Sequence, residues 1–435
     1  AADKITSLGR EFGKLRELKT NGNELTLEQQ KRYAELDEQL IAASRNFENY
    51  RIELAKKFPK RFNIEKEFKG NEVWKADLEG WSKETGENIV YVYTLVGKDR
   101  YHAIVYAPYT QTHSKTEIKA KDLNAKIFEF RNELKTLNKD PRQLGKELYD
   151  ILIKPIERQL EGTEAKTILW SQDGNLRLVP LAALWDGKQY FGQKYQNVTV
   201  TLASRSRLGK PVSKNWLVLG LGVSEGKKVK DPNGTRDIVF DPLTAVRDEL
   251  LTIVKTTPDE SGVLPGKRFL NSVFTKRELK NQLPGNYKVV HIASHFSLYP
   301  GDETNSFLLL GDGDILTVNQ LRHNQQLFVG VELLTLSACD TAIVEKDSTG
   351  KEIEGFGYVA QDEGAQAILA TLWKVADEST QIFMSEFYRL RAEHPEKNKA
   401  EIIRLVQKEM IEGKIDAKYT HPYFWSPFVL IGNWR

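Results

Sequence analysis

The chain has 435 residues and a mass of 49.7 kDa, long enough for about three domains at roughly 150 residues each. Its 40% hydrophobic, 28% charged and 10% aromatic content, with 30 Gly and 15 Pro, excludes collagenous, mucin-like and wholly disordered classes. Sixty-three basic against sixty acidic residues leave a net charge of +3, too balanced for a field that would drive nucleic-acid or membrane-surface binding, so neither partner is expected. The one cysteine, Cys339, rules out an internal disulfide and a cysteine-based zinc site. No apolar run reaches the roughly 20 residues needed to cross a bilayer. The N-terminus, Ala-Ala-Asp-Lys-Ile-Thr-Ser, is polar and lacks both Met and an apolar h-region. It reads as a trimmed end rather than a signal peptide, and a cytoplasmic location is expected.

From Asp3 to about Phe58, apolar positions at Leu25, Leu27, Tyr33, Leu36, Leu40, Ile41 and Phe47 recur at helical spacing. They predict two helices joined at Thr20-Asn21-Gly22-Asn23. Thr26, followed three residues later by Gln29, matches a capping box and starts the second helix near Leu27. This arm either docks a partner or lies as a helical hairpin on the main body. After a polar stretch with Trp74 and Trp81, residues 88–96 and 101–106 predict a hairpin around Gly97-Lys98-Asp99. Helices are expected at 122–137 and 141–160, then strands at 167–170 and 197–202, with Asp173-Gly174-Asn175 turning between them. From Asn215 the pattern changes. Apolar runs at 216–220, 287–293, 331–336, 365–372 and 427–431 alternate with helical segments at 243–255, 275–283, 356–363 and 377–391. Strands apolar on both faces and alternating with helices mean a parallel sheet covered by helices. The expected division is a helical arm at 1–70, a supporting α/β domain at 71–212 and a domain built on the parallel sheet at 213–435.

In such sheets the reactive groups sit just past the carboxyl ends of strands. The run Val289-Val290-His291-Ile292-Ala293 ends in Ser294-His295-Phe296, and Leu333-Leu334-Thr335-Leu336 ends in Ser337-Ala338-Cys339-Asp340-Thr341. Residues 307–310 and 315–317 predict a short strand pair between them, with a crossover helix at 318–325, so the two runs are expected to be neighbouring parallel strands. A thiol with a pKa of about 8.5 needs a partner to become a thiolate near neutrality, and an imidazole on the next strand end supplies it. A lone cysteine is by itself an ordinary small buried hydrophobe. The joint placement of Cys339 and His295 is what argues for chemistry. His291 would lie about 13 Å from His295 on the same face, too far to share a metal, and reads as core.

Other motifs carry less. Gly222-Val223-Ser224-Glu225-Gly226 matches a nucleophile elbow, but residues 227–234 read as an exposed loop where the elbow requires a helix. Gly311-Asp312-Gly313-Asp314 reads as a turn. No phosphate-binding loop, His-Glu-x-x-His or dinucleotide fingerprint is present, so no metal or cofactor is expected.

The chain resembles the CHAT-family cysteine peptidases of the caspase and separase clan. The resemblance begins near Tyr91 and runs through Leu148-Tyr149-Asp150-Ile151-Leu152-Ile153-Lys154-Pro155-Ile156 and Asp173-Gly174-Asn175-Leu176-Arg177-Leu178-Val179-Pro180 to Pro427-Phe428-Val429-Leu430-Ile431-Gly432. Its most specific pieces are Val290-His291-Ile292-Ala293-Ser294-His295, Leu336-Ser337-Ala338-Cys339-Asp340-Thr341-Ala342 and Ala370-Thr371-Leu372-Trp373-Lys374-Val375-Ala376-Asp377. The caspase signature Gln-Ala-Cys-x-Gly is absent. The resemblance implies a caspase-like, mostly parallel sheet flanked by helices, preceded by a supporting, pseudo-caspase-like α/β half and the helical arm.

It also implies a cysteine endopeptidase that needs no cofactor and cleaves a protein substrate after a basic residue. His295 takes the place of the catalytic histidine and Cys339 that of the nucleophile, with the backbone N–H groups of Phe296 and Cys339 forming the oxyanion hole. Many members have Gly where this chain has Phe296, and a positive φ there would strain the phenylalanine. Asp302, Asp340 and Asp377 fall near the strand-end face as candidate carboxylates for an Arg or Lys side chain, with Trp373 as a candidate wall. Each has an ordinary alternative: Asp377 as the N-cap of the next helix, Asp340 as a cap after the nucleophile, Trp373 as packing. The polar loop from Glu345 to Glu352 is either a gate cut after Lys346 or Lys351 or a surface insertion. Family members commonly carry helical repeats before this region. A regulatory protein or N-terminal repeat module is therefore the expected partner, and the arm and absent Met are read as the remains of one. The rival reading is a caspase-like scaffold without catalysis, supported mainly by Phe296.

Overall fold

Thr26 and Gln29 close the box read from the sequence: Thr26 N–H donates to Gln29 Oε1 at 2.9 Å, and Gln29 N–H donates to Thr26 Oγ1 at 3.2 Å. Helix α1 (Leu27–Lys57) starts there. The computed structural model describes residues 8–9, 11–12, 14–16, 18, 25–57, 71–201, 203–297, 306–322, 327–337 and 359–435. The expected joint at Thr20-Asn21-Gly22-Asn23 lies outside them, as does the loop from Glu345 to Glu352. The described residues group into two compact units, one of residues 1–126, 142–173 and 185–188, the other of 127–141, 174–184 and 189–435. The three-part division drawn from the sequence stands as a proposal.

In the first unit, α2 (Asn71–Thr85) precedes the expected hairpin of β1 (Asn88–Val96) and β2 (Arg100–Tyr106). A further strand, β3 (Gln111–Glu117), extends the hairpin. It escaped the sequence reading because its residues are polar, which suits an edge strand and hides it from a search for apolar alternation. Helix α3 (Ala120–Leu134) follows, its residues from Ile127 on, Arg131 among them, belonging to the second unit. Helix α4 (Arg142–Leu152) ends short of the expected 160 because Pro155 cannot continue it; a 3-10 turn at Lys154–Ile156 and a short helix at Glu157–Gly162 take its place. Strand β4 (Ala165–Ser171) then pairs parallel with β1, giving the order β3-β2-β1-β4. Trp74 of α2 stacks flat on Tyr91 at 4.2 Å. Tyr50 of α1 hydrogen-bonds His102 Nδ1 at 2.7 Å and stacks on His113 at 3.6 Å, which ties the helical arm to β2 and β3.

The second unit is a mixed α/β layer structure with a mostly parallel sheet flanked by helices. In chain order it contains β5 (Gln196–Thr199), β6 (Val218–Gly222), β7 (Lys227–Lys230), β8 (Asp237–Phe240), α5 (Val246–Ile253), β9 (Val254–Lys255), β10 (Leu264–Leu270), α6 (Lys276–Gln282), β11 (Val289–Ala293), β12 (Phe296–Ser297), β13 (Phe307–Leu309), β14 (Ile315–Thr317), α7 (Val318–Arg322), β15 (Leu333–Ser337), β16 (Ala367–Thr371), α8 (Asp377–Glu393), α9 (Lys399–Ile411) and β17 (Phe428–Gly432). The main sheet runs β5-β17-β16-β15-β11-β6-β10-β9, parallel except where β17 meets β16. Strands β6, β11, β15 and β16 are buried at every position. At about 1.5–3 kcal/mol for each large aliphatic side chain removed from water, they form the core on which the rest stands.

Two glycines set the packing. A Cβ at Gly222 would meet Val246 and Leu250 at 2.8 Å, so α5 lies this close to β6 only because the side chain is missing. Gly432 closes β17 at φ 99°, where a Cβ would meet Gln366 O at 2.6 Å. The segment read as a loop at 227–234 is instead the β7–β8 hairpin, held by Lys228 and Lys230 on Asp237 at 2.9 and 2.8 Å. No helix follows Ser224, so the elbow match fails as expected. Of the segment 356–363, residues 359–362 are helical and 356–358 lie outside the described residues. No described helix is long and apolar enough to cross a membrane.

Candidate active site

Strand β11 lies between β6 and β15 and runs parallel to both, with Ala293 paired to Gly222 on one side and to Ser337 on the other. The ladders run on past the strands: Val223 N–H donates to Ala293 O at 2.9 Å, and Ser294 N–H to Ser337 O at 3.2 Å. Thr335 pairs with Leu369, so Thr371 continues the same level onto β16. Two residues past this level come Ser224, His295 and Trp373, beyond the ends of β6, β11 and β16. The neighbouring parallel strands expected from the sequence are therefore present, with His295 two residues beyond the last pair, Ala293 and Ser337. Cys339, Asp340 and Asp302 lie outside the described residues.

His295 is 2% exposed. Its Nε2 lies 2.8 Å from the carbonyl oxygen of Asp241, and its ring packs on Phe240 at 4.8 Å. A carbonyl only accepts, so Nε2 carries a proton, and whenever the ring is neutral its lone pair is on Nδ1. Phe240 and Asp241 close the β7–β8 hairpin, which thus sets the tautomer of the histidine. Phe296 begins β12 opposite Leu308 of β13, with Leu309 N–H donating to His295 O at 2.9 Å. Its backbone is not among the positive-φ residues, so the strain raised by the missing glycine is absent.

Asp377 is the first residue of α8 rather than its N-cap, which is Ala376; the capping expectation is corrected. Its carboxylate Oδ2 accepts the N–H of Ala245, at the start of α5, at 2.7 Å. The other oxygen, Oδ1, is buried without a hydrogen-bond partner. Burial holds this carboxyl above the usual carboxylate range, and Glu249 pushes the same way. The Ala245 N–H, His295 and Lys374 pull it down. Asp377 is thus electrostatically coupled to His295 and keeps one oxygen unused. Trp373 is buried, with Arg131 over its ring at 5.6 Å and its Nε1 without a partner.

His291 occupies the core, as read. Its Nε2 meets Glu249 Oε1 at 2.7 Å and its Nδ1 meets Tyr388 OH at 3.1 Å, while Thr335 Oγ1 lies 2.8 Å from the same hydroxyl. No cluster of three metal-ligating side chains occurs among the described residues.

The model of the CHAT domain matches residues 142–433, well over half of the chain. The chain belongs to the CHAT domain family. No curated relative matches it. Among solved structures, this CHAT-family chain is similar to the Saccharomyces cerevisiae separase–securin complex, with a TM-score of 0.51 at 10% identity, over 83% of this chain and 31% of the matched one. It thus spans about a third of that chain's length. It is also similar to the complex of the pro- and mature domains of Porphyromonas gingivalis RgpB, at a TM-score of 0.41 and 11% identity, over 72% of this chain and 76% of that one. The separase likeness bears out the caspase-like fold, a mostly parallel sheet flanked by helices.

Sequence reading missed Phe240, Asp241, Ala245 and Arg131. Asp241 and Ala245 act through the backbone, which leaves no mark on residue type. Phe240 and Arg131 lie on other segments of the CHAT chain, and only the fold brings them to the strand ends.

Proposed function

We propose that this CHAT-family protein is a cysteine endopeptidase in which Cys339 and His295 form the catalytic pair. The observation that supports the reading is the pairing of Ala293 with Ser337 at the ends of β11 and β15, because His295 follows the first by two residues and the chain's one thiol follows the second by two in the sequence. His295 Nδ1 takes the thiol proton as sulfur attacks the scissile carbonyl. The N–H groups of Phe296 and Cys339 donate to the oxyanion, and the imidazolium gives its proton to the leaving amine. Water, deprotonated by His295, then hydrolyses the thioester and regenerates the thiol.

The substrate residue before the cut is basic. Asp377 supports this, with one carboxylate oxygen held by Ala245 and one left to accept from a guanidinium or ammonium. Asp302 and Asp340 are further carboxylates for the same pocket. A bound cation would also favour the ionised carboxylate that burial opposes. The enzyme is held in check by a regulatory protein or N-terminal module. His295 at 2% exposure supports restraint, since substrate reaches the ring only after an opening, and the separase structure is itself a complex with securin. The scaffold reading loses its main support with the unstrained Phe296.

The test is cleavage of fluorogenic peptides with Arg, Lys or Leu before the cut, by wild type, Cys339→Ala and His295→Ala, alongside iodoacetamide labelling of Cys339 at pH 7. Cleavage after Arg or Lys that both substitutions abolish, with labelling slowed in His295→Ala, is expected. Slow labelling in both proteins and no turnover above the Cys339→Ala background would favour the scaffold.

A further inference from the structure

We infer that Arg131 is a positioning residue for the substrate pocket, acting through the Leu372–Asp377 segment. This rests on the peptidase reading above. The segment leaves β16 and must hold Trp373 and Asp377 still although residues 372–376 have no regular structure of their own. It is pinned through the backbone at its start, where Leu372 N–H donates to Pro427 O at 2.9 Å. It is pinned at its end by Ala245 N–H on Asp377 Oδ2. Between these points the Leu372 carbonyl and the Trp373 indole both turn to one guanidinium. Arg131 Nη2 donates to Leu372 O at 2.8 Å, and the Arg131 Cζ lies 5.6 Å from the Trp373 ring centre. Arg131 Nη1 also reaches Leu178 O at 3.4 Å. That contact gives a role to Asp173-Gly174-Asn175-Leu176-Arg177-Leu178-Val179-Pro180, a motif with no chemistry of its own: the 3-10 turn at Gly174–Leu178 presents a carbonyl to the same fork.

A planar fork is what this task needs. Two carbonyls from segments far apart in sequence are bridged while the cation sits over an indole, which a lysine ammonium cannot do at once. Arg131 is remote from the reacting atoms by chemistry. It offers no group that moves a proton, and both of its terminal nitrogens donate to backbone carbonyls. Its removal should free the Trp373 wall and the approach to Asp377 while leaving the thiol and its base as they were. The expected signature is therefore a change in binding of the residue before the cut and not in thiolate reactivity.

The experiment compares wild type with Arg131→Met and Arg131→Lys in three readouts: kcat and KM on peptides with Arg or Leu before the cut, the rate of iodoacetamide labelling of Cys339, and thermal melting. KM for the Arg peptide should rise about tenfold or more in Arg131→Met, with labelling and kcat within about twofold, and Arg131→Lys should not restore it. Equal losses on both peptides, a parallel fall in labelling, or unchanged KM would overturn the positioning role. So would full rescue by lysine, since charge alone would then suffice. If the wild type cleaves no basic peptide above the Cys339→Ala background, the peptidase reading fails and takes this inference with it.

Discussion

The two ends of the parallel sheet both bury ionisable groups, and they do so differently. At the carboxyl end, His295 and Asp377 are each oriented by a backbone group, the Asp241 carbonyl and the Ala245 N–H. At the amino end, Glu332 lies just before β15 and takes three protein donors, Ser213 N–H at 2.9 Å, Ser213 Oγ at 2.7 Å and Trp216 Nε1 at 3.3 Å. Arg391 donates to Ser213 O at 3.0 Å and lies 4.4 Å over Trp216. Lys399, at 0% exposure, has no partner for its ammonium nitrogen. Burial of charge alone would have marked the amino end as the more unusual. What separates the ends is the use of the partners: one orients buried side chains beyond the strand ends, the other satisfies a carboxylate within the core.

The two histidines of β11 break this comparison most sharply if it is wrong. His295→Ala should lower kcat/KM on a basic peptide by about a thousandfold or more, with only a modest loss of melting temperature. His291→Ala should do the reverse. It strands Glu249 and Tyr388, both buried, and should cost about 3–5 kcal/mol in urea unfolding. Equal stability losses in the two variants would mean that His295 is structural too.

Lys399 tests the amino end by pH. Burial first, and then Arg391 and Arg435, push its pKa down to about 7 against the pull of Glu332. The unfolded lysine binds its proton up to about pH 10.4, so between about 7 and 10.4 the unfolded state holds more protons and stability rises with pH. Below about 7 both states are protonated and the full penalty applies. Lys399→Met should therefore stabilise the protein by about 3–5 kcal/mol near pH 7, with the advantage shrinking toward pH 10. Chemical denaturation across that range reads the slope. A flat difference would show that the ammonium finds a partner on protonation.

Much of this layout was legible in the sequence. Strands buried on both faces announce themselves as continuous apolar runs, which is why β6, β11, β15 and β16 and the placement of His295 two residues past a strand came out of composition and spacing. The capping box at Thr26 and the core role of His291 were legible for similarly local reasons. Strand β10 was not, because Pro265, Gly266, Lys267 and Arg268 break any pattern and its pairing with β6 is a long-range choice. Helix α9 carries a readable start, since Asn398 accepts the N–H of Glu401 at 2.8 Å, but its buried Lys399 blurs the apolar stripe. The hairpin carbonyl that fixes His295 leaves no trace in residue type at all.

The smallest effects sharpen the comparison between ends through two serines. Ser213→Ala removes one of three donors to Glu332 and should cost about 1–2 kcal/mol, since the carboxylate keeps the backbone N–H and the indole. In the Lys399→Met background the cost should change, because Glu332 is the charge that offsets Lys399, and a double-mutant cycle in urea measures that coupling. Ser294→Ala, at the other end, removes a hydroxyl bond to Leu309 O of 2.8 Å that holds β13 beside the end of β11. Its stability cost should be similar, about 1 kcal/mol, and additive with Lys399→Met because the two sites share no partner. It should also lower turnover, since β13 carries the partner of Phe296. A coupling between Ser294 and Lys399 as large as that between Ser213 and Lys399 would mean that the two ends of the sheet do not act independently.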